Sequence, residues 1–171
     1  FTNYGTCYSM LVNDVPVSPR SYGEPIQGTF AFSDGEKIVA CHLLDPRITQ
    51  GSTRAEGEEE PEVQAMTITS DGRGFRFSVQ PYEEASTKNG RRYARPAGGA
   101  QVVDVRLTRV GENLLATGTR FGRGALCRLA EVNFLSGAGK GVTVVKLAEE
   151  DRVVGFRGMA AAPTAFRRAA P

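Results

Sequence analysis

Three short segments of the chain repeat one pattern. FTNYGTCYSM begins at Phe1, ITSDGRGFRF at Ile68 and GTRFGRGALC at Gly118. Each carries Thr at its second place and Gly at its fifth: Thr2 and Gly5, Thr69 and Gly72, Thr119 and Gly122. A strand, a tight turn with the glycine at positive φ, and a second strand satisfy all three. After each opening come a polar, glycine-bearing turn leading into a strand, then an acidic or Gly-rich turn and a β-branched pair. The pairs are Ile38-Val39, Val102-Val103 and Val153-Val154. The glycine anchors step by 67 and then 50 residues, and the excess of 17 matches an insertion from about Pro46 to Gln64. The unit is therefore about fifty residues, room for two hairpins and the size of one four-stranded propeller blade. A single such sheet leaves both faces open, so the units must pack face to face around a common axis. The expected architecture is all-β and propeller-like, with about three four-stranded blades. Blade 1 spans residues 1–65 with an acidic inserted loop, blade 2 spans 66–113 and blade 3 spans 114–159. Residues 160–171 read as a tail or linker.

Composition agrees with this class. Of the 171 residues 40% are hydrophobic and 23% charged, ordinary for a globular domain, and twenty Gly with nine Pro favour short strands joined by turns. No apolar run approaches a membrane span. Phe1 already lies inside a strand pattern with no leader before it, which reads as a piece of a longer polypeptide. Cys7, Cys41 and Cys127 are far apart and form no Cys-x-x-Cys pair, so reduced, mostly buried thiols in a cytoplasmic protein are expected. With His42 the single histidine, a zinc site is not expected. The net charge of +2 hides an asymmetry: residues 1–65 hold four Lys or Arg against ten Asp or Glu, and the remainder seventeen against nine. Much of the acid lies in AEGEEEPE, Ala55 to Glu62, which reads as a solvated loop.

The glycine-lysine-glycine turn in SGAGKGVTVVKL, Ser136 to Leu147, invites a phosphate-loop reading. That loop needs Gly, four residues, then Gly-Lys and Ser or Thr opening a helix. Here Gly139-Lys140 is followed by Gly141, Phe134 stands where the first glycine belongs, and Val142 to Leu147 reads as a strand. A nucleotide loop is excluded on both counts.

Considered together, TSDGRGFRF, TKNGRRYARP and GKGVTVVKLAEEDRVVGFRGM resemble the repeat of the C-terminal domain of bacterial type IIA topoisomerase A subunits, the family to which those of DNA gyrase and topoisomerase IV belong. The third unit carries the resemblance best, through Gly139, Gly141, Val142, Leu147, Asp151, Val153, Val154 and Gly155; the first two share mainly the hairpin. The resemblance implies a β-pinwheel, a propeller-like disc whose outer rim binds and bends duplex DNA. It also implies partners: duplex DNA, the ATPase subunit of the holoenzyme, and the catalytic core of the subunit to which the disc belongs. No cofactor is implied for this piece, since ATP and magnesium would serve other parts of the holoenzyme. The basic box QRRGGKG found in gyrase is absent, and NGRRYARPAGG, Asn89 to Gly99, approaches it at the wrong spacing. That departure points to a topoisomerase IV-like subunit or a divergent gyrase.

A duplex held by its backbone needs cations spaced around a curved surface. The second unit offers Arg73, Arg76, Lys88, Arg91, Arg92 and Arg95, and the third Arg120, Arg123, Arg128, Lys140 and Lys146. Lys88 to Arg95 is the densest cluster, while the first unit offers mainly Arg20. No catalytic residue is expected. Arg92-Tyr93 matches the family's cleavage dipeptide, but a nucleophilic tyrosine needs metal-binding carboxylates and a partner's residues, and the family keeps it in a separate domain. Tyr93 is read as a packing aromatic and His42 as structural. Phe30, Phe32, Phe75, Phe77, Phe121, Phe134 and Phe156 are read as blade-to-blade core. The rival reading, prompted by the small net charge, is a propeller-type protein interaction module without DNA binding.

Overall fold

The T-x-x-G pattern closes a turn through the backbone. The amides of Gly5, Gly72 and Gly122 donate to the carbonyls of Thr2 (3.1 Å), Thr69 (2.9 Å) and Thr119 (3.0 Å). The three glycines stand at φ of +85°, +81° and +75°, the left-handed region that the motif predicted. The computed structural model describes residues 1–15, 22–53, 56, 60–109 and 112–160. Arg20, Ala55, 57–59 of the acidic run and 161–171 of the expected tail lie outside the described residues.

Among the described residues ten strands follow in order: β1 Thr6–Cys7, β2 Val63–Thr69, β3 Arg73–Ser78, β4 Arg91–Arg92 and β5 Val102–Arg109, then β6 Leu114–Thr119, β7 Gly124–Arg128, β8 Phe134–Leu135, β9 Val142–Thr143 and β10 Val153–Met159. A short α-helix, α1 at Pro46–Thr49, is capped by the Asp45 carboxylate, which accepts from the Arg47 amide. In the second unit β2 lies between β3 and β5, antiparallel to both. In the third, β6 lies in the same way between β7 and β10. The opening strand is thus the middle strand of its sheet.

In the first and second units the outer strand comes from the following unit. The free edge of β3 takes β8 in parallel and β9 antiparallel, both from the third unit, and β1 takes β4 from the second. Among the described residues two self-contained hairpins per unit do not form. The turn glycines explain the exchange. Gly5 O accepts from the Tyr93 and Ala94 amides (2.8 and 3.1 Å), and Gly72 O from those of Val144 and Val145 (2.9 and 3.1 Å). A Cβ at Gly5 or Gly72 would stand 2.2 or 2.3 Å from the Ala94 or Val145 carbonyl oxygen. Because the chain turns at Val144 to dock there, the strand expected over Val142 to Leu147 ends at Thr143.

Alternation along β2 builds two cores at once. Val63 and Ala65 join Phe1, Cys7, Phe75, Phe77, Tyr82 and Tyr93 between the first and second units. Met66 and Ile68 join Leu115, Val132, Val153 and Phe156 between the second and third. All seven residues of β2 are buried, as face-to-face packing on both sides requires. Each large apolar side chain so buried contributes about 1.5–3 kcal/mol. Tyr93 stacks on Phe77 with centroids 5.4 Å apart, and its hydroxyl donates to the Thr2 carbonyl at 2.8 Å. Burial pushes its pKa far up and raises that of Tyr82 to about 12.

Some expectations change. Only Cys7 is buried, inside the core between the first and second units; Cys41 is exposed and Cys127, on the strand β7 at the edge of its sheet among the described residues, is half-buried. Phe121 is 53% exposed, because the Gly122 turn beside it is open, with nothing within 4 Å of the glycine's Cβ position. His42 is held by its fold position, with Nε2 donating to the Val105 carbonyl (2.7 Å) and the ring edge-on to Phe1. Among the described residues no helix is long and apolar enough to cross a membrane.

Candidate nucleic-acid interface

The Gly139-Lys140-Gly141 turn lies where the outer segments of two units meet. On one side Gly139 O accepts from the Arg95 amide at 2.8 Å, extending a parallel bridge between Ala94 and Gly139. On the other, Arg73 Nη1 donates to Gly141 O at 3.2 Å. Gly141, at φ +72°, packs so closely on β3 that a Cβ would stand 2.4 Å from Gly74 O. Arg73, Arg95 and Lys140, separated by up to 67 residues in sequence, therefore share one joint, and all three are exposed. The nearest acid to Arg73 is Asp71, at 3.9 Å, a surface pair of little energetic weight.

The joint between the first and second units is built alike. Gly90, at φ +66°, precedes β4 as Gly141 precedes β9, and it packs against the Cys7 carbonyl. Here the cations are partly committed to the backbone. Arg91 donates to the Glu84 and Ala85 carbonyls (2.7 and 3.2 Å) and Arg92 to the Tyr4 carbonyl (2.9 Å). Arg92 remains exposed and Arg91 half-buried, while Lys88 is exposed. Three residues beyond its joint strand, each unit carries an exposed cation, Arg95 after β4 and Lys146 after β9. Arg73 and Arg123 likewise occupy matching places, each one residue after the turn glycine.

Arg76 stands apart from this surface. Its side chain is 11% exposed, donates to the Val132 carbonyl at 2.8 Å and to Gln64 Oε1 at 2.9 Å, and is ion-paired with Glu60. The guanidinium thus ties the inserted segment and the third unit to β3, and its charge is already matched. Arg120, Arg123 and Arg128 are exposed around the hairpin and outer edge of β7, away from the joints. Sequence reasoning passed over Arg152 and Arg157, also exposed; Arg157 on β10 holds the place of Arg106 on β5. Repeat alignment of the third strands was the signal that could have found Arg157. Arg106 itself pairs with Asp104 at 2.6 Å.

Asp151 secures the third hairpin from behind. Burial disfavours its charge, but the Thr119 hydroxyl and the amides of Phe121 and Arg152 outweigh that, so its pKa lies below the usual carboxylate value. Glu36 does the same for the first hairpin, accepting from Thr2 Oγ1 at 2.6 Å. In the second unit the matching position is Ala100, and Asp71 takes the Thr69 hydroxyl instead. The repeats thus keep their Thr engaged by a carboxylate while changing which residue supplies it.

The arrangement offers exposed cations at recurring places in the repeat, with backbone turns beside them, and no cluster of three or more metal-binding side chains among the described residues. Comparison with known families finds a match to the DNA gyrase C-terminal domain, beta-propeller, over residues 1–45, 64–108 and 113–157. Comparison with curated proteins finds no match. Similar solved structures include the C-terminal domain of DNA topoisomerase IV, at 20% identity and TM-score 0.77, covering 94% of this chain and 46% of that one. The E. coli ParC C-terminal domain is similar at 18% identity and TM-score 0.69, covering 93% of this chain and 60% of that one. The DNA gyrase A C-terminal domain follows at 14% and 0.63, covering 91% and 45%. The chain spans between 45% and 60% of the length of these solved domains. At such identities the likeness shows the fold.

Proposed function

With the chain belonging to the DNA gyrase C-terminal β-propeller family, we propose that it binds duplex DNA without reading sequence and bends it around its rim. The observation that carries this reading is the convergence of Arg73, Arg95 and Lys140 on the joint of the second and third units. Such a cluster meets phosphates from side chains that the fold, rather than the local sequence, brings together. Arg92, Lys88 and Lys146 extend it along neighbouring outer segments, and Arg120, Arg123 and Arg128 offer a second contact. Arg91 braces the surface, and Arg76 serves the interior. Cations in matching places on successive units follow a curved path, so a duplex that satisfies them in turn must bend.

Within a type IIA topoisomerase the role is to hold a DNA segment by its backbone and present it to the cleavage core that the same polypeptide carries. The ATPase subunit is the further partner; ATP and magnesium act in those other parts, and the setting is the cytoplasm. The parent enzyme is a topoisomerase IV-like subunit or a divergent gyrase. The competing reading, a protein interaction module, is favoured by one observation, the net charge of only +2.

Titration of two duplexes of unrelated sequence across a salt series decides between them. Both should bind alike, with log K falling by about 0.9 per phosphate met for each unit of log salt. Neutralising Arg73, Arg95 and Lys140 together should flatten that slope by about 2.7. Absence of binding at low salt, or binding indifferent to salt, overturns the DNA reading.

A further inference from the structure

Phe121 joins neither apolar core among the described residues. It stands at the tip of the third hairpin, in the run Arg120-Phe121-Gly122-Arg123. This place faces outward in every unit, also where a neighbouring unit closes the turn. Beside the buried Gly72, Asp71 keeps 38% of its side chain exposed. Beside the buried Gly5, Tyr4 is half-buried, and its hydroxyl donates to the Asp34 carbonyl at 3.1 Å. Only the third unit carries an apolar ring without a hydrogen-bonding group here.

The tip is fixed from below. The Thr119 amide donates to the Arg123 carbonyl at 2.9 Å, and the Arg123 amide returns to Thr119 Oγ1 at 3.3 Å. The amide of Phe121 itself donates to Asp151 Oδ1 at 3.1 Å, and that of Arg120 to the Arg152 carbonyl at 2.9 Å. Ordering the ring against a partner therefore costs little beyond its two side-chain torsions. Arg120, Arg123 and Arg152 are exposed at the tip and beside it; Asp151 is buried, and Glu150 faces the cleft it shares with Ser70 and Asp71. An apolar ring among three arginines suits a partner that offers phosphates next to an apolar stack. Duplex DNA offers both, its phosphates along each strand and its base steps between them. Arg123 holds the place that Arg73 has at the joint, so the tip belongs to the same series of matching cations.

We propose that Phe121 is a wedge that enters a base step of the bound duplex while Arg120, Arg123 and Arg152 hold nearby phosphates. Partial unstacking at that step kinks the duplex. The bend is then concentrated at the third hairpin instead of being spread evenly along the cations. The matching residues do not serve in this way: Tyr4 has its hydroxyl engaged by Asp34, and Asp71 meets phosphates with like charge. The inference rests on the proposed DNA binding and adds to it a base contact, which carries no sequence code because every step offers a stack.

The chain contains no tryptophan, so Phe121→Trp places a single indole at the tip. Stacked on a base, its fluorescence should fall by more than about half when a duplex of about 30 base pairs saturates the chain. Phe121→Ala should weaken the same duplex about tenfold and lower the bend read by energy transfer between dyes on its ends. The salt slope should stay unchanged, since no phosphate contact is lost. Phe121→Leu, still an apolar wedge, should keep most of the bend. An unquenched tryptophan on a bound duplex, or binding and bending equally strong with alanine, overturns the wedge and leaves the DNA reading standing. Absence of salt-dependent binding by the unaltered chain overturns both. Self-association of the DNA-free chain that alanine abolishes also overturns the wedge, since a second copy would then cover the ring.

Discussion

The turn at Gly72 is buried under the third unit, whereas the turn at Gly122, of the same sequence pattern and nearly the same φ, is open to solvent. Val145 O lies 2.3 Å from the Cβ position of Gly72, and nothing lies within 4 Å of that of Gly122. The strands that follow differ in the same way: half of β3 is buried, with β8 and β9 paired along its edge, while β7 alternates between exposed and half-buried. A hairpin's own residues thus set its shape, and the neighbouring unit sets its burial.

Replacing each glycine with alanine tests this most severely. Gly122→Ala should cost only the left-handed backbone penalty of about 1–2 kcal/mol. Gly72→Ala adds a backbone collision and should cost more than about 4 kcal/mol in denaturant unfolding. Equal losses would mean that the joint contributes nothing to the turn. Next in size is the matched pair on the following strands. Arg76→Ala should cost about 2–3 kcal/mol, since it strands the Val132 carbonyl and Glu60. Leu126→Ala, at the corresponding place on β7 and 43% exposed, should stay within about 0.5 kcal/mol.

A smaller effect comes from Tyr93→Phe, which keeps the stacking on Phe77 and removes only the bond to Thr2; about 1 kcal/mol is expected by thermal unfolding. The mildest difference is in acid. Because the folded pKa of Asp151 is depressed, its contribution is complete above the ordinary carboxylate value near about 3.9 and is lost as pH falls through the folded value. Hydrogen exchange should therefore show the third hairpin loosening in acid before the second, where Ala100 stands at the equivalent place. Asp151→Asn should erase that ordering.

Much of the fold was legible in residues. The T-x-x-G spacing reported a backbone turn that any neighbour would leave intact, and the recurrence of that turn reported the unit. The exchange of outer strands left no comparable trace, because β4, β8 and β9 are two residues long and carry no periodicity of their own. The candidate interface can be written from the sequence as a list of cations but not as a surface. Arg73, Arg95 and Lys140 belong to different segments, and nothing local to any of them signals the other two. Arg76 and Arg73, three residues apart in RGFR, look alike in sequence and end on opposite sides of the burial divide.

From the chain alone came the all-β class, the repeat and the positive-φ turns, since each depends on the steric limits of a few adjacent residues. Which cysteine is buried, which arginine is free and which cations converge were decided only when one unit packed on the next. Those outcomes rest on contacts between segments far apart in the chain, where burial and pairing outweigh any preference a side chain carries by itself.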